Sequence, residues 1–239
     1  TSDPLIRLWR TCRDEMRLPT QEEIEEQLSR VGMRHVELDS AANTIKFQRE
    51  GLSLNLGAIG KGHALDCMTT QLEEQDNRDF LLHGGRSSII ARGQNTEGGW
   101  PVGVGNPLFT DRRLGTILLK DQALATSGSN IQYFRIGDRR FGHILDPRTG
   151  WPTEEVLSVT VLAPTAAVAD ALSTAFYVMG VEETRHYCAK HPDCSAIVIP
   201  KPGTDRRVSP QVFGIDASQI YWDAEQIMLP EKRNDGSNR

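Results

Sequence analysis

Cysteine is scarce in this 239-residue chain: there are four, with no C-x-x-C spacing. That argues against a zinc-ribbon type of site and against a disulfide scaffold. Cys188 and Cys194 could pair if the protein is exported, but spacing alone establishes no disulfide geometry. Long apolar runs are missing too. The longest, 166–180, is interrupted by Asp170 and falls short of the roughly 18 continuous apolar residues that a membrane-spanning helix requires. Positive charge is not in excess, and a formal net charge of -5 argues against a broad electropositive groove, so nucleic acid is not an expected partner. No basic segment followed by an apolar one opens the sequence, which therefore does not state its compartment.

What remains is a globular composition, 38% hydrophobic and 25% charged with 21 glycines. Proline at the start of an apolar-periodic segment predicts a helix from Pro4. Thr20 and Glu23 form a capping-box pair ahead of Ile24, Leu28 and Val31, which predicts a second. Short β-rich runs follow at 36–38, 44–47 and 52–56. After Gly57 the period changes, and Ala64, Leu65, Met68 and Leu72 mark an amphipathic helix. Further strands are predicted at 80–82, 88–91, 100–104 and 116–119, with a hairpin turn at 136–139. A strand at 157–163 leads through Pro164-Thr165 into a helix over 166–179 that stops at Gly180, followed by a helix at 182–190 and a strand at 195–199. Hairpins mixed with helices favour an α+β fold built mainly on antiparallel sheet. A single domain over 1–230 and a polar tail at 231–239 are expected.

Several clusters carry chemistry. Asp170 and Thr174 lie four apart on the helix over 166–179, so they share a face with Ser173 nearby. A carboxylate with hydroxyls and a carbonyl suits a hard cation such as Mg²⁺; a solvated aspartate and a back-bonded threonine would leave the same pattern. Gly57, Gly60, Lys61 and Gly62 stand at a strand-to-helix turn where N–H groups and the helix dipole could receive a phosphate, although Asn55 and Gly62 rule out a P-loop. A glycine-rich turn with a solvated lysine is the alternative. Gly84-Gly85 permits close approach of a ligand to the backbone, or forms a plain tight turn. Thr126-Ser127-Gly128 offers hydroxyls and N–H groups in a turn. His143, just before the Asp146-Pro147 turn, is the best general-base candidate, since its unperturbed pKa lies near neutrality; a structural histidine is the alternative.

The order of these strings, the Gly-Lys turn, the Gly-Gly turn, Thr-Ser-Gly, His-Ile-Leu-Asp-Pro-Arg-Thr-Gly at 143–150 and Ala-Asp-Ala-Leu-Ser-Thr at 169–174, resembles the ApbE family of FAD:protein FMN transferases. The resemblance implies a T-fold-like α+β architecture and Mg²⁺-dependent transfer of FMN from the substrate FAD to a Thr or Ser hydroxyl of an acceptor flavoprotein subunit, with release of AMP. It implies that Asp170 and Thr174 hold Mg²⁺ together with Ala58 and Ser173, whose backbone carbonyls complete the set. Asn55, Lys61, Gly84, Gly85, Thr126, Ser127, Gly128 and Ile144 would contact the flavin nucleotide, and His143 would deprotonate the acceptor. A periplasmic or membrane-associated setting goes with it.

Three features depart from the family pattern. A segment that family members carry ahead of the Pro4 helix, which supplies part of the flavin pocket, is not in the sequence. Asn55 and Arg86 stand where aspartate is usual, so both remove negative charge near the expected FAD site. These departures leave two other readings open: a degenerate FAD-binding module without transfer activity, and an FAD pyrophosphatase that uses water as the nucleophile and releases FMN and AMP.

Overall fold

The computed structural model describes residues 1–85, 87–95, 98–128, 133–202 and 208–223; Arg86 and the expected tail at 231–239 lie outside them. Helix α1 (Asp3–Asp14) has proline in its first turn, and α2 (Gln21–Leu28) carries the expected capping box, with Thr20 Oγ1 accepting from Glu23 N and the Glu23 carboxylate accepting from Thr20 N. The hairpin of β1 (Val36–Asp39) and β2 (Thr44–Phe47) follows. Residues 52–56, predicted as a strand, form none. Their polar atoms are tied locally: Ser53 and Asn55 donate to Asp3, and Asn55 Oδ1 accepts from Gly57 N, so the segment braces α1 instead of joining a ladder.

Helix α3 (Gly60–Glu74) then leads to β3 (Phe80–His83) and β4 (Ser88–Arg92), β5 (Trp100–Gly105) and β6 (Arg113–Leu119), β7 (Ala123–Gly128), the hairpin β8 (Tyr133–Ile136) and β9 (Arg139–Gly142), and β10 (Val156–Ala163). Helix α4 (Ala166–Lys190), β11 (Ser195–Pro200), β12 (Gln211–Phe213) and β13 (Ile220–Trp222) complete the order. The halt expected at Gly180 is present as a break: its φ of 81° is left-handed, and the chain turns there before resuming the helix.

A six-stranded sheet, in the order β12-β11-β10-β7-β4-β3, forms the middle layer, and all its pairings are antiparallel. On one face Val159, Val161, Ala123, Ala125 and Ile90 pack against Leu65 of α3 and Ala166, Ala169 and Phe176 of α4. On the other, Leu124, Leu162, Ile197 and Ile199 pack against Val102, Leu114, Ile117 and Leu119 of a three-stranded sheet, β13-β6-β5. This is why β10 is buried on both sides and its burial does not alternate, although Ser158 and Thr160 alternate with Val159 and Val161: each face meets a covering layer. Every fully buried Val, Ile or Leu in these layers contributes ~1.5–3 kcal/mol. A third cluster joins Leu5 and Trp9 of α1 to Phe141 and Leu145, and Trp9 Nε1 donates to Gly150 O at 2.8 Å.

Candidate functional site

The site lies where the start of α3, β4, the end of β7 and the first half of α4 meet. What brings the two helices together is small and polar. A Cβ at Gly62 would collide with the backbone carbonyl of Ala166, so only glycine lets α3 lie this close to α4. One turn along the same face, Asp66 accepts from Ala166 N and Ala167 N with its two carboxylate oxygens, at 2.7 and 2.9 Å, and so caps α4 from another helix. Thr165 Oγ1 accepts from Val168 N and completes the cap.

Asp170 faces this junction and is buried. Its Oδ2 accepts from Gly62 N at 3.1 Å, its Oδ1 accepts from Ser88 Oγ at 2.8 Å, and Lys61 Nζ lies 3.5 Å from Oδ2. Its side chain is 6% exposed while that of Lys61 is 45% exposed, so the carboxylate forms the floor and the ammonium the open side. The solvated-aspartate alternative is thereby excluded. Gly60 N donates to Leu56 O, and Gly62 N to Asp170. These two amides, expected to receive a phosphate, are therefore engaged within the protein, and the positive group offered at this turn is the Lys61 ammonium. Ala58 sits in the same turn, half-buried.

Residues 126–128 belong to β7, not to a turn, and strand alternation separates their hydroxyls. Ser127 faces α4, its Oγ 2.8 Å from Ser173 Oγ and 3.1 Å from Thr174 Oγ1. Thr126 points to the opposite face, 2.8 Å from Thr160 Oγ1 on β10. Ser173 Oγ donates to Asp170 O at 2.9 Å. Asp170 and Thr174 are thus joined by a run of hydroxyls, Thr174 to Ser127 to Ser173, ending on the Asp170 carbonyl.

The glycine pair closes the neighbourhood. Gly84 N donates to Ser88 O, Gly85 has φ of 75°, and a Cβ on Gly84 would touch Leu65 and the Lys61 side chain. Asn55, by contrast, is turned to Asp3, with Nδ2 donating to Oδ1 at 3.1 Å. The negative charge that asparagine does not supply at position 55 is therefore present beside it as the buried Asp3 carboxylate. Burial raises the pKa of Asp3, but its bonds from Ser53 and Asn55 and the Arg7 guanidinium outweigh this and hold it below the ordinary value.

His143 is exposed, and the segment after it is anchored to the helices. Ile144 is buried in the cluster that contains Ala166, Ala169 and Phe176. The fork of Arg148 grips Asp146 and donates to Val178 O at 3.2 Å, near the break in α4 at Gly180, where helical carbonyls lose their ordinary partners. The other histidines join no metal cluster: among the described residues no three His, Cys, Asp or Glu side chains converge. Cys188 and Cys194 are buried free thiols.

Two site residues carry little sequence signal. Ser88 reads as the polar start of an apolar strand. Asp66 could have been noticed four positions after Gly62 on the same helical face, ahead of a helix start at Thr165.

The family model described as ApbE matches residues 1–198. The chain belongs to the ApbE family. It is 29% identical over 220 residues to the FAD:protein FMN transferase of Escherichia coli K12, which covers 88% of this chain and 62% of that protein. It is 31% identical over 234 residues to the FAD:protein FMN transferase of Treponema pallidum, covering 90% of this chain and 63% of the relative. The chain therefore spans about three fifths of the length of these curated relatives. The crystal structure of the ApbE protein of Thermotoga maritima superposes with a TM-score of 0.74 at 32% identity, over 84% of this chain and 66% of that one. The flavin transferase ApbE of Vibrio cholerae does so with a TM-score of 0.72 at 28% identity, over 88% and 66%. The expected mixed helix and antiparallel-sheet architecture is thus the fold of the ApbE crystal structures.

The donor set around Asp170 fits a hard cation. Its donors are oxygens, one buried carboxylate and the hydroxyls of Ser127, Ser173 and Thr174 within one connected run; the Lys61 ammonium, which is no donor, lies against the same carboxylate.

Proposed function

We propose that this ApbE-family chain takes part in Mg²⁺-dependent transfer of FMN from FAD to a Thr or Ser hydroxyl of an acceptor protein, with release of AMP. The observation that carries this reading is the buried Asp170 carboxylate held by the Ser88 hydroxyl and the Gly62 N–H, with the exposed Lys61 ammonium on its open side. Asp170 and Thr174, with Ser173 and the Ala58 carbonyl, would hold Mg²⁺. When bound, the metal would neutralise charge on the pyrophosphate as the phosphoryl group is transferred.

The remaining chemistry falls to the chain itself. Lys61 would bind a phosphate oxygen, its flexible stem letting the ammonium follow the group. The Gly84-Gly85 turn beside it admits a ligand against the backbone. Ser88 and Gly62 N–H keep the Asp170 carboxylate oriented. His143 would accept the proton of the acceptor hydroxyl as its oxygen bonds to the FMN phosphorus. The bond from that phosphorus to the bridging oxygen breaks, and AMP leaves with that oxygen. The relatives named as FAD:protein FMN transferases support the reading for the part of their length that this chain covers.

Incubation with FAD, Mg²⁺ and a threonine-bearing acceptor peptide tests it by mass spectrometry. The expected result is a peptide heavier by one FMN phosphoryl ester and an equal amount of AMP. An unchanged peptide with intact FAD overturns the proposal. Free FMN and AMP beside an unlabelled peptide would instead identify hydrolysis.

A further inference from the structure

Three groups share the Asp170 carboxylate, and they differ in how firmly they are held. Ser88 Oγ donates to Oδ1 at 2.8 Å, Gly62 N donates to Oδ2 at 3.1 Å, and the Lys61 ammonium lies 3.5 Å from the same Oδ2. The first two are fixed: Ser88 is buried in β4, and Gly62 is wedged against the backbone of Ala166. Lys61 is not. It is anchored by its backbone in the first turn of α3, its side chain is 45% exposed, and a flexible four-carbon stem carries the charge. Glycine at position 84 leaves that stem an open side, since a Cβ there would lie 3.8 Å from the Lys61 Cβ.

A carboxylate whose side chain is 6% exposed is costly to bury unless its charge is answered. Ser88 and Gly62 offer it neutral donors, so among the described residues Lys61 supplies the full positive charge paired with Asp170. A Mg²⁺ ion held by the same carboxylate would stand about 2.1 Å from its oxygen. An ammonium against the other side of that carboxylate repels it, and the repulsion is strong where water does not screen it. Lysine and metal therefore compete for one buried charge.

We propose that Lys61 is an exchangeable counter-ion: it neutralises Asp170 until Mg²⁺ takes the carboxylate, and the displaced ammonium turns on its stem to the phosphates of FAD. The exchange rests on the reading that Asp170 holds Mg²⁺. It couples the two ligands, because an ammonium released from Asp170 adds its attraction to the anionic dinucleotide, and a dinucleotide that draws the ammonium away leaves Asp170 open to the metal. A lysine that is merely solvated near the site gives no such linkage.

The first measurement is binding of Mn²⁺ alone, with the free ion counted by electron paramagnetic resonance; Mn²⁺ suits the same oxygen ligands as Mg²⁺. Lys61→Met keeps the stem and removes the charge. It should bind Mn²⁺ about 10-fold more tightly than the unaltered protein, within the range usual for coupled sites. Its melting temperature in EDTA should be lower than that of the unaltered protein, and saturating Mg²⁺ should close the gap. Lys61→Gln, checked by circular dichroism, should behave alike. Flavin fluorescence anisotropy then reads FAD affinity, which Mg²⁺ should raise in the unaltered protein and raise less in Lys61→Met. Unchanged or weaker Mn²⁺ binding by Lys61→Met, a melting deficit that Mg²⁺ leaves in place, or an equal effect of Mg²⁺ on FAD in both proteins overturns the exchange. Asp170→Asn separates that failure from failure of the metal site. If Mn²⁺ binds this variant as tightly as the unaltered protein, Asp170 holds no cation and both readings fall; if binding depends on Asp170 but not on Lys61, the metal site stands and the exchange alone is lost.

Discussion

Ser88 Oγ donates to Asp170 Oδ1 across 2.8 Å, joining β4 to α4 although 82 positions separate the two residues. Under the proposed metal role the bond matters, because a carboxylate that is to hold a cation must be aimed, and Asp170 is aimed by Ser88 from one side and Gly62 N–H from the other.

Ser88→Ala should therefore leave the fold intact and weaken Mg²⁺. Loss of an outer partner of a metal-holding carboxylate reduces metal affinity by roughly 10–100-fold. Titration of transfer rate against Mg²⁺ reads this as a shifted half-saturation with a recoverable maximum, and an unshifted curve would show that Asp170 needs no help from Ser88.

Asp170→Asn keeps the volume and removes the charge. Mg²⁺-dependent turnover should fall by at least ~10² while the thermal melt remains cooperative, as expected when a metal's several kcal/mol of charge stabilisation is lost. Wild-type turnover in this variant would remove Asp170 from the metal site.

His143→Ala should slow transfer by roughly 10² or more, the usual contribution of a positioned base. The binding of FAD, followed by thermal shift, should be little changed, because the exposed imidazole is assigned to the acceptor's proton. A full rate in the variant would free His143 of that role.

Gly62→Ala should destabilise by about 1–3 kcal/mol, since the new methyl meets a backbone carbonyl that cannot swing aside. Asp66→Ala, which strips two N–H groups of α4 of their acceptor, should cost ~1–2 kcal/mol. Urea denaturation measures both, and neutral results would mean that the α3–α4 contact is looser than its geometry.

The stability of the segment after His143 should depend on pH. The Arg148 side chain bonded to Asp146 holds that carboxyl below its ordinary value of 3.8. A depressed folded-state pKa contributes stability that is fully present above the unfolded value and is lost as pH falls through the folded one. Arg148→Ala should therefore be less stable than the unaltered protein near neutral pH, and the difference should close as pH falls through the folded-state pKa of Asp146, as seen by urea denaturation from neutral pH downward. Equal stability of the two proteins at neutral pH would show that Asp146 is not held by Arg148 in solution.

Much of this was legible in advance. The capping pair Thr20 and Glu23, the turn at Gly137, the halt at Gly180 and the shared face of Asp170 and Thr174 all follow from residues within a turn or two of one another. Less legible was β7. Its end, Ala-Thr-Ser-Gly, has turn-like composition but is laddered by β10 along its whole length, with β4 pairing as far as Ala125, so its neighbours supply what its own propensity does not. Residues 52–56 failed in the other direction: their apolar alternation suits a strand, but their polar side chains are drawn to Asp3 and Gly57.

The sequence by itself determined where helices start and stop and which hydroxyls share a face with Asp170, because those relations are set by short-range backbone geometry. Only the tertiary structure decided that Ser88, Gly62 and Lys61 converge on Asp170, that Ser127 and not Thr126 reaches α4, and that Asp66 caps a helix 100 positions away. These depend on strand order and helix docking, which come from burying two faces of one sheet at once, a constraint that belongs to the whole chain and is written in no single stretch of it.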